Sequence, residues 1–132
     1  MAAMAALTFL VLSTIPVFRI GDALAGRVRP DDFKLGESDR VPERTKLSNR
    51  NYMNLLELPL LFYVVCGIIY MTDSLTWPQL GLAWAFVAFR AMHSVLHLTI
   101  NIVLVRLSMF AGAAFTLAAL WIVTFVHLAA LG

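Results

Sequence analysis

Three polar side chains at helical spacing are the residues of this chain best suited to chemistry. Arg50, Asn54 and Glu57 lead into and enter the apolar run 58–69. An α-helix turns about 100° per residue, so offsets of four and seven residues bring these side chains to one face. An ionisable group inside a membrane helix is costly and marks a functional site by default. The spacing therefore predicts a polar site where a helix enters a membrane.

A second polar stripe follows later in the chain, and its members also fall on one helical face: Arg90, His93, Ser94, His97 and Asn101. A charged residue at mid-span costs about 2.5–3.5 kcal/mol on insertion scales, so Arg90 and Glu57 each need a partner or a wet cavity. The economical arrangement places the two stripes face to face in one polar cavity.

Other interpretations of these residues remain open at this point. Glu57 and Arg90 would also serve as a structural ion pair between helices, and His93 and His97 as hydrogen-bonding groups across the bundle. The spacing of the two histidines also suits a metal with Glu57 as third ligand, or a proton conduit. Two histidines one helical turn apart are common by chance, so we expect no metal.

The composition is that of a membrane protein. The chain has 132 residues, of which 61% are hydrophobic and 14% charged, against about 45–50% and about 25% in soluble domains. Four spans of about 20 residues with short connections nearly fill this length. We therefore predict one all-α domain over residues 1–132, an integral-membrane four-helix bundle with no nucleic-acid partner. The single cysteine, Cys66, allows no intrachain disulfide.

Apolar runs and helix-start signals predict four helices, at about 2–20, 42–71, 78 to between 101 and 105, and 108–131. Residues 23–25 resemble a signal-peptide cleavage site. However, no Lys or Arg precedes the apolar run and Pro16 interrupts it, so we expect a retained span.

The basic residues are distributed asymmetrically between the connections. They lie in the first connection, at the mouth of the second helix and, as Arg106, in the third connection, whereas the turn at 72–76 and both termini have none. The positive-inside rule places loops 21–47 and about 101–108 in the cytoplasm. Both termini are then expected on the non-cytoplasmic side.

The motif Arg50-x-x-x-Asn54-x-x-Glu57 at the start of the second span resembles the signature of the MAPEG family, the membrane-associated proteins of eicosanoid and glutathione metabolism. Arg90-x-x-His93, with a polar residue at 97 and Arg106 nine residues later, is a second match. The run 26–29, which ends in Arg29, is a weaker third. The resemblance covers essentially the whole chain.

This resemblance implies a homotrimer of four-helix subunits with glutathione, as co-substrate, bound between subunits near the cytoplasmic side. It assigns the glutathione carboxylates to Arg29 and Arg50, and the γ-glutamyl end to Asn54 and Glu57. Arg90, His93 and His97 would line the same site, and Arg106 would stabilise the thiolate. Such groups suit the ligand, since carboxylates favour Arg and a guanidinium lowers a thiol pKa.

The departures from the family pattern narrow the expected activity. Family enzymes commonly have tyrosine where His97 stands, and the prostaglandin synthase branch has serine where Leu107 stands. Tyr52 and Met53 replace a His and an Arg of that branch. These differences favour a glutathione transferase or peroxidase of broad specificity acting on lipophilic small molecules. The alternative is a non-catalytic membrane protein of the same fold that binds lipid or glutathione.

Overall fold

The computed structural model describes residues 1–34, 36–100 and 102–131, and in these ranges the chain forms four long helices and one short 3₁₀ turn. The helices are α1 (Ala2–Leu24), α2 (Glu43–Met71), α3 (Trp77–Leu98) and α4 (Val103–Leu131). The 3₁₀ turn, Pro30–Phe33, lies in the α1–α2 connection. The predicted all-α fold is confirmed.

Two predicted helix ends near the third connection were wrong. α3 ends at Leu98, before the predicted range of 101–105, and α4 begins at Val103 rather than at 108. The β-branched pair Thr99 and Ile100 is unfavourable for continuing α3, and the Thr99 hydroxyl donates to the Val95 carbonyl at 2.7 Å. The third connection is therefore shorter than the predicted loop 101–108, and Arg106 lies within the first turn of α4. α1 also extends past the predicted end at 20, to Leu24.

Three of the four described helices, α1, α2 and α4, are long and apolar enough to cross a membrane. α3 has 22 residues and is about 33 Å long, which is also sufficient to cross the hydrocarbon core. α3 carries the polar stripe that includes Arg90, His93 and His97, and the bundle buries all three of these side chains.

All four helices contribute side chains to one apolar core. This core includes Met4 and Val11 of α1, Phe62 of α2, Phe86 of α3 and Leu117 of α4. The rings of Phe62 and Phe86 stack with centroids 4.7 Å apart. This core fixes α2 against α3, the two helices that carry the polar stripes.

A buried carboxylate fixes the connection between α1 and α2. Gly26, two residues after the end of α1, has φ +68°, which turns the chain so that the Arg27 amide donates to the Asp22 carbonyl at 2.9 Å. The fully enclosed Asp22 side chain accepts hydrogen bonds from Thr45 at 2.6 Å, from Arg27 at 3.2 Å and from Arg44. The start of α2 is thereby held at the end of α1, one to two turns before the predicted site.

Candidate functional site

Two polar links, one helical turn apart, join α2 to α3. The Arg90 guanidinium donates to the backbone carbonyl of Asn54 at 2.5 Å, and the Asn51 amide donates to the backbone carbonyl of Ser94 at 3.5 Å. The residue numbers of the two pairs run in opposite directions, as antiparallel helices require. The α3 stripe is therefore buried against α2.

Several polar atoms in this seam are enclosed by protein and have no hydrogen-bond partner among the described residues: Arg90 Nε and Nη1, His93 Nδ1, Ser94 Oγ and Asn51 Oδ1. The four residues are at most 3% exposed. Leaving a buried polar group unpaired costs about 1–3 kcal/mol, so native proteins rarely keep such a cluster without a functional or structural reason. Arg90 and His93 of this cluster are predicted site residues, Ser94 belongs to the predicted stripe, and Asn51 was not predicted.

A cavity of about 190 Å³ lies beside the seam, and its walls are Asn54, His93, Val103, Arg106, Leu107 and Phe110. It brings together one predicted site residue from each of α2, α3 and α4. The remaining walls are apolar, and Val103 and Leu107 are largely exposed on the outer surface of the bundle. The cavity therefore combines polar groups with an apolar side.

Phe110, a wall residue of the cavity, also lies close to the α3 stripe. Its ring lies 5.9 Å from the Arg90 guanidinium carbon and 6.2 Å from the His93 ring centroid. The first distance is within the range of a cation–π interaction. His97 is 1% exposed, lies 5.8 Å from His93 between ring centroids, and is absent from the described cavity wall. His97 therefore lies behind His93, and Asn101, the last residue of the predicted stripe, is outside the described residues.

The α2 stripe does not face α3 along its whole length, which corrects the predicted face-to-face arrangement. Asn54 is half-buried and lines the cavity, whereas Arg50 and Glu57 are exposed. Glu57 attracts the Arg90 guanidinium electrostatically, but the two side chains form no ion pair in the part of the chain that the structure describes. Helical spacing correctly predicted that the three residues lie on one side of α2, but α3 covers only the edge of that side.

Arg29 lies in the α1–α2 connection, and its side chain is exposed away from the cavity wall. Its backbone amide donates to the Asp32 carboxylate at 2.8 Å, and the Ser38 hydroxyl donates to the same carboxylate at 2.7 Å. The Ser38 hydrogen bond, followed by that from Arg29, holds the pKa of Asp32 below its usual value. These bonds order the segment that carries Arg29, although the single chain does not bring Arg29 to the other site residues.

Asn51 and Asp22 are two of the polar residues whose burial was not predicted from the sequence. Asn51 continues a three-residue spacing that starts at Thr45 and Ser48, and all three are fully enclosed on the inner face of α2. That spacing, one turn of helix with small polar side chains, was the available signal. Asp22, an acid at the end of an apolar helix, required a partner for the same reason as Glu57.

A larger cavity does not coincide with this chemistry. It has a volume of about 580 Å³ and lies at the opposite end of the bundle, at the start of α3, with walls Leu75, Thr76, Trp77, Pro78 and Leu80. None of these wall residues is ionisable. The small cavity at Arg106 is therefore the better candidate site.

The fold and the site together define an integral-membrane helical bundle with a buried, Arg- and His-lined polar seam. The model of the MAPEG family matches residues 1–126, and the chain belongs to this family. The comparison with curated proteins and the comparison with solved structures each gave no match. Family membership confirms the resemblance drawn from the two motifs and supports a membrane function related to glutathione.

Proposed function

We propose that this protein is a membrane-embedded glutathione transferase that conjugates glutathione to lipophilic electrophiles dissolved in the bilayer. The observation that carries the proposal is the cavity in which Asn54, His93 and Arg106 meet the apolar side chains of α4. A thiol addition to an apolar substrate needs both kinds of wall, one polar for the peptide and one apolar for its reaction partner. Membership of the MAPEG family supports the same class of chemistry.

The residues present fit glutathione. Its two carboxylates match the guanidinium groups of Arg50 and Arg29, and its ammonium matches Glu57. The unpartnered nitrogens of Arg90 are further donors for an anionic ligand. A cavity of about 190 Å³ is smaller than the roughly 300–1,000 Å³ of complete ligand pockets, so we assign it to the thiol end. The rest of the peptide would lie over the exposed stripe with Arg50 and Glu57.

We further propose that the functional unit is a homotrimer with the site between subunits. Glu57 is exposed on the single chain, although it lies in a helix apolar enough to cross a membrane. A charged group facing lipid costs about 2.5–3.5 kcal/mol at mid-span and less nearer the membrane surface, and a covering subunit avoids the cost at Glu57. Leu60, three residues later, is 63% exposed and would be covered by the same contact. Chemical cross-linking in detergent and in liposomes tests the number of subunits.

Arg106 is assigned the catalytic role of stabilising the thiolate. A guanidinium beside the sulfur favours the charged form of the thiol, and the thiolate is the nucleophile. Arg106→Ala is expected to lower conjugation of an aryl halide at least 100-fold, with glutathione affinity changed less than 10-fold. Losses of about 10²–10³ are typical when one electrostatic stabiliser of this kind is removed.

The matched control is Arg40→Ala, which removes an exposed guanidinium from the α1–α2 connection. It should leave binding and turnover unchanged. Equal loss of binding and turnover in Arg106→Ala, or loss of neither, would exclude the role given to Arg106. Isothermal titration of glutathione and a steady-state conjugation assay give the two quantities.

A second candidate function is non-catalytic binding of lipid or glutathione. The observation that favours it is His97, which stands where family enzymes commonly have tyrosine and which lies behind His93 rather than on the cavity wall. This function predicts saturable binding of a fatty acid or of glutathione without thiol turnover by any electrophile. The same purified protein in the two assays above separates the candidates.

We also propose that the first and third connections are cytoplasmic and that both termini lie on the other side. One cavity is lined by Phe18, Glu43, Arg44, Leu47, Leu98 and Thr99, which supports a common membrane surface for the two connections. Arg106, near this end, adds to the positive charge expected on the cytoplasmic side. Protease accessibility of a C-terminal tag in vesicles of known orientation tests the proposal.

A further inference from the structure

The wall of the Arg106 cavity contains one side chain that can accept a proton. Of the six described wall residues, three are apolar, Asn54 is a neutral amide, and Arg106 stays protonated in proteins. His93 is the remaining one, and imidazole is the usual proton acceptor in enzymes working near neutral pH. Among the described wall residues, His93 is therefore the one that can accept a proton.

The orientation of the His93 ring agrees with that role. Its Nδ1 atom is enclosed by protein and has no hydrogen-bond partner among the described residues. Because the ring also lines the cavity, Nε2 is the nitrogen left to reach a molecule bound there. The position is set by packing, since His93 is 3% exposed and its ring lies 6.2 Å from that of Phe110.

The charged and titratable groups around His93 come from α3 and α4. Arg90 and His97 on its own helix, and Arg106 on α4, act on it electrostatically, and the two guanidinium cations favour its neutral form, which is the form that can accept a proton. From α2 the cavity wall receives only the neutral Asn54, while the exposed Glu57 acts on Arg90 instead. No described carboxylate therefore competes with His93 for a proton inside the cavity.

We propose that His93 is the general base that takes the proton from the glutathione thiol. This inference rests on the proposed transferase function. The S–H bond breaks and an N–H bond forms at Nε2, leaving the electron pair on sulfur beside the Arg106 guanidinium. That pair forms the C–S bond to the electrophilic carbon, and the leaving group departs with the electrons of its bond. The proton then passes from the imidazolium to the leaving group or to water.

His93→Gln tests the proposal, because glutamine keeps a polar side chain of similar length but accepts no proton. The matched control is His127→Gln on α4, away from the cavity wall. The first readout is the ultraviolet absorbance of thiolate when glutathione binds to the purified protein without any electrophile. The second is the pH dependence of kcat/KM with an aryl halide.

The native protein and His127→Gln are expected to form thiolate at neutral pH. His93→Gln should bind glutathione within about 10-fold of native affinity and lose about 10²–10⁴-fold in kcat at neutral pH. Because Arg106 is retained, its bound thiol should still ionise below the ordinary pKa of about 8.5, but less of it should be thiolate at neutral pH than in the native protein. In His93→Ala, added imidazole should restore part of the turnover. Thermal unfolding of each variant in detergent separates these effects from misfolding.

Different results would overturn the role of His93 and the proposed transferase function on which it rests. Undiminished thiolate in His93→Gln, or loss of glutathione binding in parallel with turnover, overturns the role of His93 and leaves the transferase assignment intact. Absence of rescue by imidazole in a folded His93→Ala also counts against the role. No glutathione binding by the native protein overturns the proposed function, and the role of His93 with it.

Discussion

Gly112 allows α4 to approach α3 closely, and a single added methyl group tests this packing. A Cβ atom at position 112 would lie 2.7 Å from Cε1 of Phe89, and 2.9 Å from both its Cδ1 and its Cζ. Carbon atoms in ordinary contact are about 3.5–4.0 Å apart. In Gly112→Ala the ring or the helix must therefore move by about 1 Å.

The expected cost follows from two opposing effects. Overpacking a well-filled contact costs about 1–3 kcal/mol, whereas replacing a helical glycine by alanine favours the helix by about 0.5–1 kcal/mol. Gly81→Ala in α3 is the matched control, because a Cβ there meets nothing within 4 Å. The two variants share the helix effect, so the difference between their free energies of unfolding should be the overpacking cost of about 1–3 kcal/mol, with Gly112→Ala the less stable.

The assay is reversible unfolding in mixed micelles, followed by circular dichroism. Combining Gly112→Ala with Phe89→Ala removes the ring that causes the clash, so the Gly112 substitution should become as benign as Gly81→Ala in that background. Equal stability of Gly112→Ala and Gly81→Ala in the native background would refute the packing argument. An unchanged cost in the Phe89→Ala background would refute the assignment of the clash to Phe89.

Three further predictions follow from the buried polar groups and the first connection. Arg90→Met should leave the unfolding temperature unchanged or raise it, because it removes a buried unpaired cation, while lowering glutathione affinity at least 10-fold in titration calorimetry. Thr124→Val should cost about 1 kcal/mol in micellar unfolding by breaking its 3.2 Å hydrogen bond with Gln79. Asp32, whose pKa is lowered by its hydrogen bonds, should keep the loop ordered above about pH 4 and lose this order as pH falls through the lowered pKa. The measurement is the protection factor of the Arg29 amide, its exchange rate relative to an unstructured peptide at the same pH, which should fall in that range. A fall already near about pH 6 would contradict this prediction.

The helices and their polar faces followed from local patterns. An apolar run long enough to span a membrane and the helix-start signal near Pro42 predicted the bounds of α2 to within one residue. Both signals depend only on residues that are neighbours in the sequence. The end of α3 and the start of α4 were misplaced, since no Gly or Pro separates them and only the β-branched pair Thr99 and Ile100 weakens the helix.

The spacing of the polar residues did not predict how much of each polar face is buried. Periodicity predicts that Arg50, Asn54 and Glu57 share a face, but not how far a neighbouring helix covers that face. The rotation of α2 is set by its core contacts, such as Phe62 against Phe86, which are non-local. The same rotation buries Asn51, whose three-residue spacing from Ser48 indicated a shared face but not that another helix covers it.

The burial of Arg90 favours a ligand-binding role over a structural ion pair. A purely structural role would be served by a carboxylate within ion-pair distance, and none is present among the described residues. Glu57, the acid that attracts Arg90, is instead exposed on the outer face of α2. An apolar residue of similar volume at position 90 would pack without the desolvation cost of the cation. Arg90 is therefore enclosed and Glu57 is exposed. This arrangement is expected if an anionic group of the ligand binds Arg90. The cationic group of the ligand and a second subunit would then cover Glu57.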